Sequence, residues 1–136
     1  MSEPSAPFTW PVRVYWENTD AGAVVYHASY LCFLERARTE WLRTYGLNQH
    51  RLREETGLAF AVSSMQLDFL KPARLDDQLL VTVEVESRRA ASLWFRQSIH
   101  RGEDALLRAR VRLACVDLAH MLPVRIPAGL FDERPL

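Results

Sequence analysis

SYLCFLERARTEWLRTYG, residues 29–46, sets Tyr30, Leu34, Ala37, Trp41 and Tyr45 at steps of four, three, four and four. That spacing puts them on one face of a helix, with Glu35, Arg36, Thr39, Glu40 and Arg43 spread over the rest. Ser29 is the expected N-cap, because a hydroxyl can accept from an orphan amide of the first turn. Gly46 is the expected stop. A shorter helical turn is expected around Gln49 to Glu55.

Beyond Gly57 the period changes from 3.6 to 2. Gln78 to Glu86 alternates, with Leu79, Val81, Val83 and Val85 on one side. Leu93 to Ile99 follows the same rule. In Ala105 to Asp117, residues Leu107, Ala109, Val111, Leu113 and Cys115 oppose Arg108, Arg110 and Arg112. Arg88 to Ser92 and Arg101 to Asp104 are short enough to close antiparallel hairpins. Leu58 to Leu70 reads as an earlier strand ending at Pro72, Val12 to Trp16 as a first strand, and Val124 to Ile126 as a short edge strand between prolines. The first ten residues, with Pro4 and Pro7, read as a loose lead-in. One helix with a single strong apolar face and a run of strands with one apolar face each have a shared solution: an α+β fold in which a curved antiparallel sheet wraps the helix.

The chain is 136 residues long, which fits one domain spanning residues 1–136. Hydrophobic residues make up 49% and charged residues 25%, far from the signature of disorder. Seventeen basic residues balance seventeen acidic ones, so no net field draws nucleic acid. Two cysteines, Cys32 and Cys115, suit a reducing compartment. The opening MSEPSAPFTW lacks the pattern of a signal peptide, and no apolar run approaches the ~18–20 residues of a membrane span. The expected location is cytoplasmic.

Motifs for a nucleotide loop, a nucleophile elbow or a zinc helix are absent, and His27, His50, His100 and His120 lie at spacings that suggest no metal site. No cofactor is expected. Asp20 stands out. Asn18-Thr19-Asp20 with Gly22 has the composition of a plain turn. The same carboxylate, just ahead of a helix, also lies near free amides and the positive end of the macrodipole, where a developing oxyanion can be held. That pairing suits ester or thioester hydrolysis. His27, with Tyr26 beside it, either bonds the turn or positions water and passes a proton. Glu35 reads as a member of a surface pair, with a reserve role as general base. Cys32 has no base at a useful spacing and reads as a small buried hydrophobe. The arginine row reads as a solvated or interface face that could also meet a phosphorylated cofactor.

Two stretches, RVYWENTDAGAVVYHASYLCFLERARTEWL (13–42) and MQLDFLKPARLDDQLLVTVEV (65–85), resemble the hotdog-fold acyl-CoA thioesterases, in particular the Tol-Pal-associated group of the 4-hydroxybenzoyl-CoA thioesterase superfamily. The resemblance implies a long central helix wrapped by the sheet, and subunits paired edge to edge, often as dimers of dimers, with sites where subunits meet. It implies Asp20 as nucleophile or general base, the Tyr26 backbone amide as the group that polarises the thioester carbonyl, and His27 as a neighbouring catalytic residue. Gly22, Val25, Tyr30 and Glu35 are the expected substrate-binding positions. The implied substrate is a short-chain aliphatic or aromatic acyl-CoA, with acyl carrier protein as a second candidate partner. Ala23 departs from the group's commoner glycine, a change that costs something if the position needs positive φ. A non-catalytic module binding acyl-CoA or acyl carrier protein is the alternative. A hotdog dehydratase or isomerase would instead need its acid on the helix, which Asp20 is not.

Overall fold

A computed structural model describes residues 6–131, which form β1 (Phe8–Arg13), a 3-10 turn (Trp16–Asn18), α1 (His27–Arg43), α2 (Gln49–Thr56), β2 (Leu58–Phe69), β3 (Gln78–Arg88), β4 (Ser92–Arg101), β5 (Asp104–Asp117) and β6 (Leu122–Pro123). The strands make one antiparallel sheet in the order β1-β3-β4-β5-β2, with β6 added to the end of β5. The sheet curls around α1, the arrangement of a hotdog fold.

The inward face follows from the period-2 pattern. Leu79, Val81 and Val83 of β3, Leu93, Phe95 and Ile99 of β4, and Leu107, Val111 and Cys115 of β5 are all buried. Arg108, Arg110 and Arg112 point outward and are exposed. Arg110 makes a two-pronged contact with Glu86 at 2.8 and 2.9 Å and lies over the Trp94 ring at 4.6 Å. The helix buries more than its expected stripe, because Phe33, Arg38 and Leu42 join Tyr30, Leu34, Ala37 and Trp41 in the interior.

Arg38 is a cation only 4% exposed, facing the sheet. Its Nη1 donates to Gln97 Oε1 at 2.9 Å, and Gln97 Nε2 donates in turn to the carbonyls of Leu34 and Thr82. Burial lowers the Arg38 pKa to about 10, with Glu35 opposing the shift, so the group stays charged at neutral pH. Gln97 thereby ties the helix to two strands.

At its C-terminal end the helix is closed by aromatic rings. Trp41 lies 4.9 Å from Tyr45, 5.1 Å from Phe95 and 5.9 Å from Phe131, and Phe131 also meets Phe60. Gly46, at φ 73°, turns the chain away, as the stop signal predicts.

Several boundaries differ from the expectation. The first strand runs Phe8–Arg13, not Val12 to Trp16, so the lead-in already enters the sheet at Phe8. Pro11 is tolerated because β1 is an edge strand, where a missing donor need not break a ladder. The chain leaves the strand because Asn18 offers its own backbone and side chain to Tyr15, a local bond that competes with the ladder. The late edge strand is Leu122–Pro123 rather than Val124 to Ile126. The amides of Val124 and Ile126 instead donate to Cys115 and Ala90.

Candidate active site

Between the 3-10 turn and α1 the chain doubles back on itself. Thr19 bridges Val25, the Asp20 amide donates to the Val24 carbonyl at 3.0 Å, and the Ala23 amide donates to the Asp20 carbonyl at 3.0 Å. Asp20 therefore sits in a tight loop immediately ahead of the helix. Its Oδ1 accepts the Gly22 amide at 2.8 Å, the bond expected of an Asx turn. A Cβ on Gly22 would lie 3.2 Å from that oxygen, so a larger residue would push the carboxylate aside by a few tenths of an ångström. Ala23 holds φ 62°, a left-handed conformation that strains any residue with a Cβ.

Two segments hold this loop from opposite sides. The Asn18 carbonyl accepts the Tyr26 amide at 2.8 Å. Ala73, fully buried, accepts the Val25 amide through its carbonyl at 2.9 Å and donates its own amide to the Tyr30 hydroxyl at 2.9 Å. Val24 also bridges Arg74. That second segment is anchored at Asp77, whose carboxylate accepts from the Arg74 amide at 2.8 Å and from Arg101 Nη1 at 2.7 Å. Burial raises the Asp77 pKa, but the bonds and charges of Arg101 and Arg74 outweigh it and hold the carboxyl below its ordinary range.

The helix start differs from the expectation. It begins at His27 with Tyr26 as N-cap, three residues before the expected cap Ser29, and no side chain caps it. Ser29 lies inside the first turn, where its amide donates to the Tyr26 carbonyl at 2.8 Å. The Tyr26 amide, expected to polarise the thioester carbonyl, is spent on Asn18. The first amides of a helix have no intrahelical acceptor; among the described residues, those of His27 and Ala28 have no other partner either. A missing N-cap costs about 1 kcal/mol. The chain carries that cost beside the Asp20 turn.

The expected site residues divide into two groups. Asp20, Gly22, Tyr26 and His27 gather at the loop and are exposed to solvent. The Tyr26 and His27 rings lie 4.3 Å apart. Val25 and Tyr30, at 5% and 4% exposure, are buried instead. Tyr30 packs edge-on against Phe33 and Phe69 while its hydroxyl holds Ala73, so it supports the loop from beneath. Glu35 lies further along the helix, exposed, accepting from Thr39 at 2.9 Å. Cys32 is exposed rather than buried. Asn18 and Ala73 were not singled out by the sequence; Asn18 had a visible signal in its place beside the Asp20 turn, and Ala73 had none.

A groove of about 490 Å³ lies elsewhere, on the outer face of the sheet, lined among others by Thr82, Ser98, His100, Arg108 and Arg110. Asp20 does not line it. Among the described residues no three His, Cys, Asp or Glu side chains are grouped to hold a metal, and no helix is long and apolar enough to cross a membrane.

The sequence from Gly22 to Arg108 matches the family model described as Thioesterase superfamily. The chain belongs to the thioesterase superfamily. It is 51% identical over 120 residues to an acyl-CoA thioesterase, YbgC, of Haemophilus influenzae, covering 88% of each chain. It is 49% identical over 127 residues to an acyl-CoA thioester hydrolase, YbgC, of Escherichia coli, covering 93% of this chain and 94% of that one. Among solved structures it is similar to a probable thioesterase from Bartonella henselae, with a TM-score of 0.84 and 35% identity over 90% of this chain and 100% of that one. Within this thioesterase family member, the matched span opens inside the Asp20 turn, contains α1 and the Ala73 segment, and ends at Arg108 of β5.

Proposed function

We propose that the chain hydrolyses acyl-CoA thioesters to a free acid and CoA, with Asp20 as the group that attacks the carbonyl or activates water. The observation that carries this reading is an exposed carboxylate held in a tight turn directly ahead of a helix start whose first two amides are free. The names of relatives at 51% and 49% identity over most of the chain support the same activity.

In this mechanism the amides of His27 and Ala28 receive the carbonyl oxygen as it becomes an oxyanion, aided by the macrodipole. Asp20 keeps one oxygen on the Gly22 amide, which fixes its direction, and presents the other to water or to the carbonyl carbon. A thiol, with a pKa of ~8.5 for a free cysteine, leaves far more readily than an amine, so the demand for a strong general acid is small. His27, exposed beside Tyr26, is placed to move the remaining proton.

The proposal extends to assembly and substrate. The outer edge of β2 is unpaired among the described residues, and Val62, Phe69 and Leu70 are 48%, 54% and 46% exposed near it. An unpaired edge is a template for another strand, and a second copy of the chain fits it as a dimer, the unit from which the proposed dimer of dimers would be built. Phe69 touches Tyr30, so a copy docked there would reach toward the Asp20 loop and supply the wall that the single chain leaves open. Short-chain aliphatic or aromatic acyl groups are the proposed range, on CoA or on acyl carrier protein.

Release of free thiol from a panel running from acetyl-CoA to palmitoyl-CoA, with benzoyl-CoA and 4-hydroxybenzoyl-CoA, tests the reading. Turnover is expected, and its profile names the acyl class. Tight CoA binding with no hydrolysis of any substrate would replace the enzyme with a binding module.

A further inference from the structure

Asn18 carries no role in the mechanism above, yet it is one of few buried polar side chains, 6% exposed. Three bonds converge on it. Its Oδ1 accepts the Tyr15 amide at 2.9 Å, its amide donates to the Tyr15 carbonyl at 3.0 Å, and its carbonyl accepts the Tyr26 amide at 2.8 Å. Asn18 is thus the point where the end of the first strand, the Asp20 loop and the start of α1 are fastened together.

The chemical consequence lies in which amides remain free. A helix start offers several unpaired N–H groups. By taking the Tyr26 amide, Asn18 leaves those of His27 and Ala28 as the donors facing an incoming oxygen. By bonding Tyr15, its side chain fixes the 3-10 turn, and so fixes the backbone two residues before Asp20. The carboxylate and the oxyanion donors are located relative to one another through this residue.

We infer that Asn18 is a positioning residue for thioester hydrolysis, setting the Asp20 carboxylate against the His27 and Ala28 amides while touching no substrate itself. The inference rests on the proposed thioesterase activity. The bond that matters is an acceptor at Oδ1 directed at the Tyr15 amide. A carboxylate oxygen can supply it, and a methyl cannot. Small misplacement of reacting groups costs about 10²-fold in rate, so the effect belongs in kcat, not in substrate affinity.

The test compares wild type, Asn18→Ala and Asn18→Asp on the best acyl-CoA of the panel, with kcat, KM and thermal midpoint for each. Asn18→Ala is expected to lower kcat about 10²-fold with KM within about threefold. Asn18→Asp is expected to restore kcat to within about tenfold of wild type, since the acceptor returns. A folded Asn18→Ala protein with wild-type kcat overturns the inference, as does an Asn18→Asp protein as impaired as Asn18→Ala. Should Asn18→Ala fail to fold, Asn18→Asp alone decides, because a folded Asn18→Asp enzyme down 10²-fold in kcat also overturns it. Absence of turnover in wild type removes the thioesterase reading first, which separates the two failures.

Discussion

At its C-terminal end α1 is packed shut: Trp41 and Tyr45 press on Phe95 and Phe131, and the chain turns off at Gly46. At its N-terminal end the same helix has no side-chain cap, two free amides, a strained Ala23 and an exposed Asp20. On the proposed mechanism, stability and chemistry are segregated along one helix. The sealed end supplies apolar burial, while the open end lacks a side-chain cap and holds a left-handed alanine. Residues at unusual local cost gather where function is expected.

That contrast can be broken most forcefully at the sealed end. Trp41→Ala should destabilise the fold by about 3–5 kcal/mol, as large aromatic truncations in cores do. Chemical denaturation measures the loss, and kcat of the folded fraction should be unchanged. The buried Arg38–Gln97 contact comes next. Gln97→Leu leaves Arg38 without its bond and should cost about 3 kcal/mol, whereas Arg38→Met combined with Gln97→Leu should recover most of that loss. A single mutant as stable as wild type would show that the pair contributes nothing.

Effects at the open end should be smaller in stability. Ala23→Gly removes a left-handed alanine and should stabilise the protein by about 0.5–1 kcal/mol after the added freedom of the unfolded chain is counted. A thermal melt checks it, and a lower midpoint would mean that Ala23 is not strained. Asp77, which anchors the segment beside the loop, gives the smallest effect and a pH signature. Its folded pKa is depressed, so its contribution is present above the ordinary carboxylate value of ~3.9 and is lost as pH falls through the lower folded value. The stability gap between wild type and Asp77→Asn should therefore hold from pH 7 to about 5 and close only below about 4. A gap that closed near neutrality would point to another group.

The helix and strands were legible because period is local: Leu34, Ala37 and Trp41, or Leu107, Val111 and Cys115, declare their face without knowledge of what covers it. The Asp20 turn was legible for a similar reason, since Asx and glycine chemistry acts over three residues. What the sequence hid depends on bonds across distance. Nothing in the composition says that Asn18 would claim the Tyr26 amide, or that Ala73 would be gripped by Tyr30 from 43 residues away. Ser29 looked like a cap on local grounds and was displaced because the loop delivers Tyr26 already aligned for the helix. Pro11 disguised a strand because edge strands alone forgive it.

The central claim, that the open end of α1 performs hydrolysis through Asp20, meets its most direct test in Asp20→Asn. Asparagine keeps the shape and the acceptor for the Gly22 amide and removes the charge. The account predicts a thermal midpoint close to wild type with kcat on an acyl-CoA reduced at least about 10²-fold, equivalent to about 2.7 kcal/mol of transition-state stabilisation. A well-folded Asp20→Asn protein with near wild-type kcat would contradict it.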